Sequence, residues 1–140
     1  MTNSHINQIW WSLRLTFGLV AFAAGLDKFL HLLTNWHMYV APAIAGLVPG
    51  GSSTLMHAVG IIEMAVGVLI LTRWTRLGAY VASAWLLAIA FNLLLTGFYD
   101  VAVRDIAMSV AAWTLARVSE LRDPVPDAVE GAPAASPARA

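Results

Sequence analysis

Four long segments of this chain are nearly free of charge, and each has the length of a membrane-crossing helix. Crossing the hydrocarbon core takes about 20 mostly apolar residues, and no water is present there to satisfy an open backbone. The pattern predicts helices over about 9–33, 54–71, 77–96 and 101–118, which use most of the 140-residue chain. Only 11% of its residues are charged, against roughly 25% in soluble domains. The expected fold is all-α, an integral membrane antiparallel four-helix bundle forming one domain over 1–120.

Charge and cysteine content exclude several function classes. The formal net charge is zero and no basic run occurs, so the electrostatic footprint of a nucleic-acid binder is missing. Without cysteine the chain has no disulfide, thiolate ligand or dithiol relay, and redox chemistry would need a bound cofactor or substrate. A cleavable signal peptide is a poor reading of the first segment. AFAAG has a small-x-small pattern, but Arg14 alone is a weak n-region and cleavage would leave three helices.

The segments between the helices are informative too. Residues 34–53, TNWHMYVAPAIAGLVPGGSS, are too apolar for a plain solvated loop and predict an interfacial or re-entrant connection that acts as a lid. The tail, 121–140, is rich in Pro and Ala without periodicity and is expected to be disordered. Arg14, Arg73, Arg76, Arg117, Arg122 and Arg139 fall on one side of such a bundle, with Lys28 and Arg104 on the other. The positive-inside rule then places both termini in the cytoplasm, and the chain as a multi-pass protein of the cytoplasmic (inner) membrane. Asp27 beside Lys28 and Asp105 beside Arg104 are positioned to compensate those two outer charges. Small residues four apart (Ala21/Gly25, Gly78/Ala82, Ala84/Ala88, Ala107/Ala111, Ala112/Ala116) predict close helix contacts in lipid.

This topology brings polar groups from all four helices into the outer half of the bundle: Asp27, His31, His57, Glu63, Asn92, Arg104 and Asp105. Ionisable groups inside a membrane are costly and mark functional sites by default. The competing reading is a structural network that fixes helix register, with Asp27 or Glu63 paired to Arg104 or Lys28 and Asn92 bonded to neighbouring backbone. In the functional reading, Glu63 and Asp27 are the candidate catalytic residues, exchanging protons with a ligand. His31, Trp36, Tyr39, His57, Asn92, Arg104 and Asp105 are the candidate substrate-binding residues. His31 and His57, on different helices at similar depth, offer the minimum for haem or metal ligation, although no ExxH or HExxH spacing accompanies them. Trp36, Tyr39, Phe98 and Tyr99 fit an interfacial aromatic belt, or a cover over a flat ring such as a quinone.

The segments GLDKFLH, GIIEMAVGVLILTRWTRLGA and RDIAMSVAAWTLA, in this order and spacing over roughly residues 10–120, resemble the DoxX-like family of small four-helix membrane proteins. That family includes the DoxD-type membrane subunit of thiosulfate:quinone oxidoreductase. The resemblance implies a bundle in the cytoplasmic membrane, an association with redox enzymes and with quinone, and functional charged positions at Asp27, Lys28, Glu63, Arg104 and Asp105. Two functions follow as expectations: a quinone-linked or redox-associated membrane subunit, or a non-catalytic anchor or assembly subunit of a larger oxidoreductase. Solute transport is disfavoured because the inner halves of the helices carry few polar groups to line a path. The sequence leaves the electron donor, the partner and the oligomeric state open.

Overall fold

The computed structural model describes residues 3–122, and among these it is helical without a strand. In chain order the elements are α1 (Asn3–Leu30), a 3₁₀ turn (Trp36–Tyr39), α2 (Pro42–Ala45), α3 (Gly51–Leu71), α4 (Thr75–Thr96) and α5 (Tyr99–Arg122). The expected disordered tail lies outside the described residues except for 121 and 122, which extend α5. Three helices, α1 from Ser4 onward, α3 and α4, are long and apolar enough to cross a membrane. The fourth long helix, α5, has comparable length but carries Arg104 and Asp105 near one end and Arg117, Glu120 and Arg122 near the other. Its apolar middle is correspondingly short.

Individual contacts between the long helices pair rising residue numbers on one with falling numbers on the other. In α1 and α3, Gly25 faces Gly60 and Gly18 faces Gly67, so one chain ascends as the other descends. Between α4 and α5, Tyr80 bonds to Glu120, and Ser83 to Ser109. Between α1 and α5, Trp10 bonds to Ser119, and Asn7 to Arg122.

Glycines set the α1–α3 approach. A Cβ on Gly25 would stand 2.6 Å from the Gly60 carbonyl oxygen, and one on Gly67 would stand 2.7 Å from that of Gly18. The two contacts are seven residues apart on each helix, so the seam repeats every two turns rather than every turn. This differs from the four-residue pairs expected from the sequence. Ala82, Ala112 and Ala116 are buried as those pairs require, but Ala84, Ala88 and Ala107 face outward. Composition alone cannot reveal helix rotation when both faces are apolar. On the α4–α5 seam, Ser83 and Ser109 each donate to the other's backbone carbonyl, at 2.9 and 2.8 Å.

The apolar core occupies the half of the molecule nearest Arg14. Trp10 and Phe17 of α1, Val66 and Ile70 of α3, Ala79 and Ala82 of α4, and Ala112, Leu115 and Ala116 of α5 pack there. Arg14 closes that end: its guanidinium donates to the carbonyls of Ile70 at 2.9 Å, Thr72 at 3.1 Å, and Leu71. Those oxygens are C-terminal orphans of α3 with no intrahelical partner. Thr75 adds a second donor to Ile70 at 2.7 Å, which explains a turn as short as Thr72–Trp74. Large apolar side chains such as Leu19, Phe91 and Val103 point outward, the pattern of a surface solvated by lipid.

Helix ends differ from the sequence expectation most clearly in α1, which starts at Asn3 rather than about 9 and stops at Leu30 rather than 33. The Asp27 carboxylate accepts from the backbone N–H groups of Leu32 at 2.9 Å and Leu33 at 3.1 Å. These donors would otherwise bond back into the helix, so a side chain one turn earlier competes with the ladder and ends it. His31, at φ +54°, then turns the chain away. The connection from here to Gly50 forms a strap across the end of the bundle opposite Arg14.

Candidate functional site

Beneath the strap, a lysine and a glutamate from facing helices form a buried ion pair. Lys28 lies in the last turn of α1 and Glu63 near the middle of α3, and their side chains meet with Nζ to Oε2 at 2.6 Å. Helical side chains lean toward the N-terminus of their own helix. Because α1 and α3 run oppositely, Lys28 leans inward and Glu63 outward, which closes a gap in depth that the backbone positions leave open. The pair is nearly dry, with side-chain exposures of 5% and 12%. Of the two carboxylates open to it from the sequence, Asp27 beside it and Glu63 on α3, Lys28 pairs with Glu63, because adjacent helical residues diverge by about 100° and do not face each other.

Trp36 is the roof. Its ring covers the Lys28 ammonium at 3.9 Å from the ring centre, and its indole N–H donates to Asp27 at 2.8 Å. One side chain of the strap thus satisfies two charged groups of α1. Asp27, with backbone donors on both oxygens and the indole as well, serves as a fixed anchor for the strap. That occupancy works against the proton-exchanging role expected for it.

Asn92 of α4 holds the next stretch of strap in a two-way clamp. Its Nδ2 donates to the Tyr39 carbonyl at 2.6 Å, and its Oδ1 accepts from the Ala41 N–H at 2.9 Å. A primary amide is the side chain that can donate and accept side by side, so it can pair with backbone as a neighbouring strand would. Tyr39 packs edge-on against Phe98 with centroids 4.8 Å apart, tying the strap to the short α4–α5 turn. Trp36, Tyr39 and Asn92 therefore act on the strap and on one another more directly than on an open pocket.

Asp105 of α5 is half-buried and stands within electrostatic range of both Glu63 and Lys28. Its neighbour Arg104 is exposed, and among the described residues it enters no ion pair. Consecutive residues on α5 thus part company, one toward the cluster and one toward the surroundings. His57 is likewise exposed, stacked on Phe29 with centroids 4.9 Å apart and planes 5° from parallel. His31 lies at 5.3 Å from a different imidazole, His37. The sequence left open whether His31 and His57 face each other; they make two separate contacts, since α1 ends before His31 and directs it toward the strap. Among the described residues no group of three or more His, Asp or Glu side chains has metal-binding geometry.

One further residue belongs to the site and was missed in the sequence. The Trp85 indole N–H of α4 is buried without a hydrogen-bond partner, and it approaches the Glu63 carboxylate. The available signal was spacing: Trp85 precedes Asn92 by seven residues, which puts both on one helical face. The assembled cluster holds Lys28, Glu63, Asp105 and the Trp85 N–H, with Trp36 and Asp27 at its lid. No family model, curated protein or solved structure matches the chain. The chemical reading therefore rests on this geometry: one cation, two carboxylates and an unpaired donor, enclosed between four helices and a strap.

Proposed function

We propose that this chain is an integral membrane antiparallel four-helix bundle of the DoxX-like type, with α1, α3, α4 and α5 as its spans. It lies in the cytoplasmic membrane with both termini cytoplasmic, and acts as a quinone-linked, redox-associated subunit. The observation that carries the reading is the dry Lys28–Glu63 pair roofed by Trp36. α5 enters the membrane with Asp105 turned toward that pair, while Arg104 remains at the headgroup level, where a long cationic side chain reaches water. The same orientation sets Arg14, Arg73, Arg76, Arg117 and Arg122 on the cytoplasmic side, in accord with the positive-inside rule.

Quinone reduction takes up protons together with electrons, so a carboxylate beside the ring has a defined task. Glu63 and Asp105 are the carboxyls placed for it, and Lys28 and the Trp85 N–H are the donors that would orient a carbonyl oxygen. Electrons would come from a partner oxidoreductase, as the chain has no cysteine. Trp36 and the strap would exclude water and admit the head group from the membrane's outer leaflet.

The competing reading is a non-catalytic anchor or assembly subunit. It draws on the saturation of Asp27 and Asn92 by strap contacts, which is what a rigid structural network requires. One preparation separates the two: full-length protein in mild detergent with partners retained, assayed by quinone extraction and visible spectroscopy. The quinone reading expects near-stoichiometric quinone that is lost in Glu63→Gln while the helical content stays intact. Quinone-free protein that brings down an oxidoreductase, equally in wild type and Glu63→Gln, would establish the anchor instead.

A further inference from the structure

At the outer corner of the strap, two imidazoles converge from different elements. His31 follows the last residue of α1, and His37 lies within the 3₁₀ turn. Their ring centroids are 5.3 Å apart with planes tilted by 31°. Zinc–imidazole bonds are about 2.0 Å long, which sets the ring centre roughly 3.2 Å from the metal, so a tetrahedral angle separates two ring centres by about 5.2 Å. The observed spacing thus matches that of two imidazoles on one tetrahedral ion.

The backbone at His31 supplies a second, independent observation. Its φ of +54° makes it the one non-glycine residue with positive φ among those described. The position just past a helix end commonly adopts this conformation, but glycine or asparagine normally fills it, because a Cβ is disfavoured there. Strained residues concentrate at ligand sites and switches. Here the strained turn directs the imidazole toward the strap. The Asp27 carboxylate lies within electrostatic range of His31, adding negative potential beside the imidazoles while its own oxygens remain engaged by the strap.

We propose that His31 and His37 form a two-imidazole site for a divalent transition-metal ion of the zinc and copper class, tying the end of α1 to the strap. Neutral imidazole is a preferred ligand for these ions, and water would complete the coordination. The site adjoins the roof in sequence: Trp36, next to His37, covers Lys28. Metal binding would therefore latch the strap over the Lys28–Glu63 pair. This holds whether the cluster below serves quinone or only assembly.

The test uses full-length protein in mild detergent, with Zn²⁺ followed by calorimetry and Cu²⁺ by electron paramagnetic resonance. Wild type should bind one Zn²⁺ per chain, at least 10-fold more tightly than His31→Ala or His37→Ala, with His57→Ala and His5→Ala unchanged. The copper spectrum should show two imidazole nitrogens in wild type and one in each of the two weakened variants. His31→Gly relieves the backbone while removing the ligand, so it should raise the metal-free Tm and abolish the Zn²⁺-dependent rise in Tm. Equal Zn²⁺ affinity in wild type, His31→Ala and His37→Ala, or no binding by folded wild type, would overturn the proposal and leave the two rings as a packing contact.

Discussion

Replacing Lys28 with Met would strand the Glu63 carboxylate in a nearly dry site, and the pair's geometry sets the scale of the damage. At 2.6 Å and an effective dielectric near 20, the Coulomb attraction is about 6 kcal/mol. Desolvation of the two ions costs several kcal/mol each, so the intact pair contributes little net stability over a well-packed apolar pair. Removal of one partner is different, because the other keeps its desolvation cost without compensation. Lys28→Met and Glu63→Met are each expected to lose about 3–5 kcal/mol. Lys28→Met should be the worse, by the roughly 0.5–2 kcal/mol of its contact with the Trp36 ring. The double variant should recover most of the loss, giving a coupling energy of about 3 kcal/mol or more. Reversible unfolding in mixed detergent micelles, followed by far-ultraviolet circular dichroism, measures all four corners of the cycle. If the single losses add to the double within about 0.5 kcal/mol, the two charges are not a dry pair and the description of the site fails.

Three other perturbations, with one control, probe the elements that build the site. Asn92→Ala leaves the Tyr39 carbonyl and the Ala41 N–H without partners, at about 1–3 kcal/mol for each group that stays buried. Hydrogen exchange at Ala41 should accelerate while exchange within α3 does not. Gly60→Ala drives a Cβ to 2.7 Å from the Gly25 oxygen and should cost about 1–3 kcal/mol by overpacking, lowering Tm and loosening the strap because Lys28 shifts with α1. Gly97→Ala is its control: no atom lies within 4 Å, and only the positive φ of +84° is penalised, at roughly 1–2 kcal/mol. Arg14→Gln removes charged donors from the carbonyls that end α3 and should destabilise by about 1–3 kcal/mol. Its exchange signature belongs at residues 70–72, with the strap unaffected.

The membrane character of the chain was legible because hydrocarbon solvent leaves a backbone so few options. Long uncharged runs and the helix-breaking turns between them are one-dimensional signals. The list of polar residues near one end was legible for the same reason: each stands out against an apolar background. Partner choice among them was not. Lys28 reaches Glu63 rather than Asp27, and Asp105 turns inward while Arg104 turns out. These outcomes depend on helix rotation, which an almost uniformly apolar pattern does not encode.

The strap shows the same division on a smaller scale. Its apolar, aromatic composition marked it as more than a solvated loop, whereas its attachment depends on Asp27 and Asn92, residues distant from much of it in sequence. The glycine seam at residues 18, 25, 60 and 67 brings α1 against α3 closely enough for Lys28 and Glu63 to meet. Sequence by itself determined the long apolar helices and the inventory of charged groups, because those follow from local hydropathy and backbone satisfaction. Tertiary structure decided which charges meet and which face outward, because that is a matter of rotation, register and the lean of each side chain toward the start of its helix.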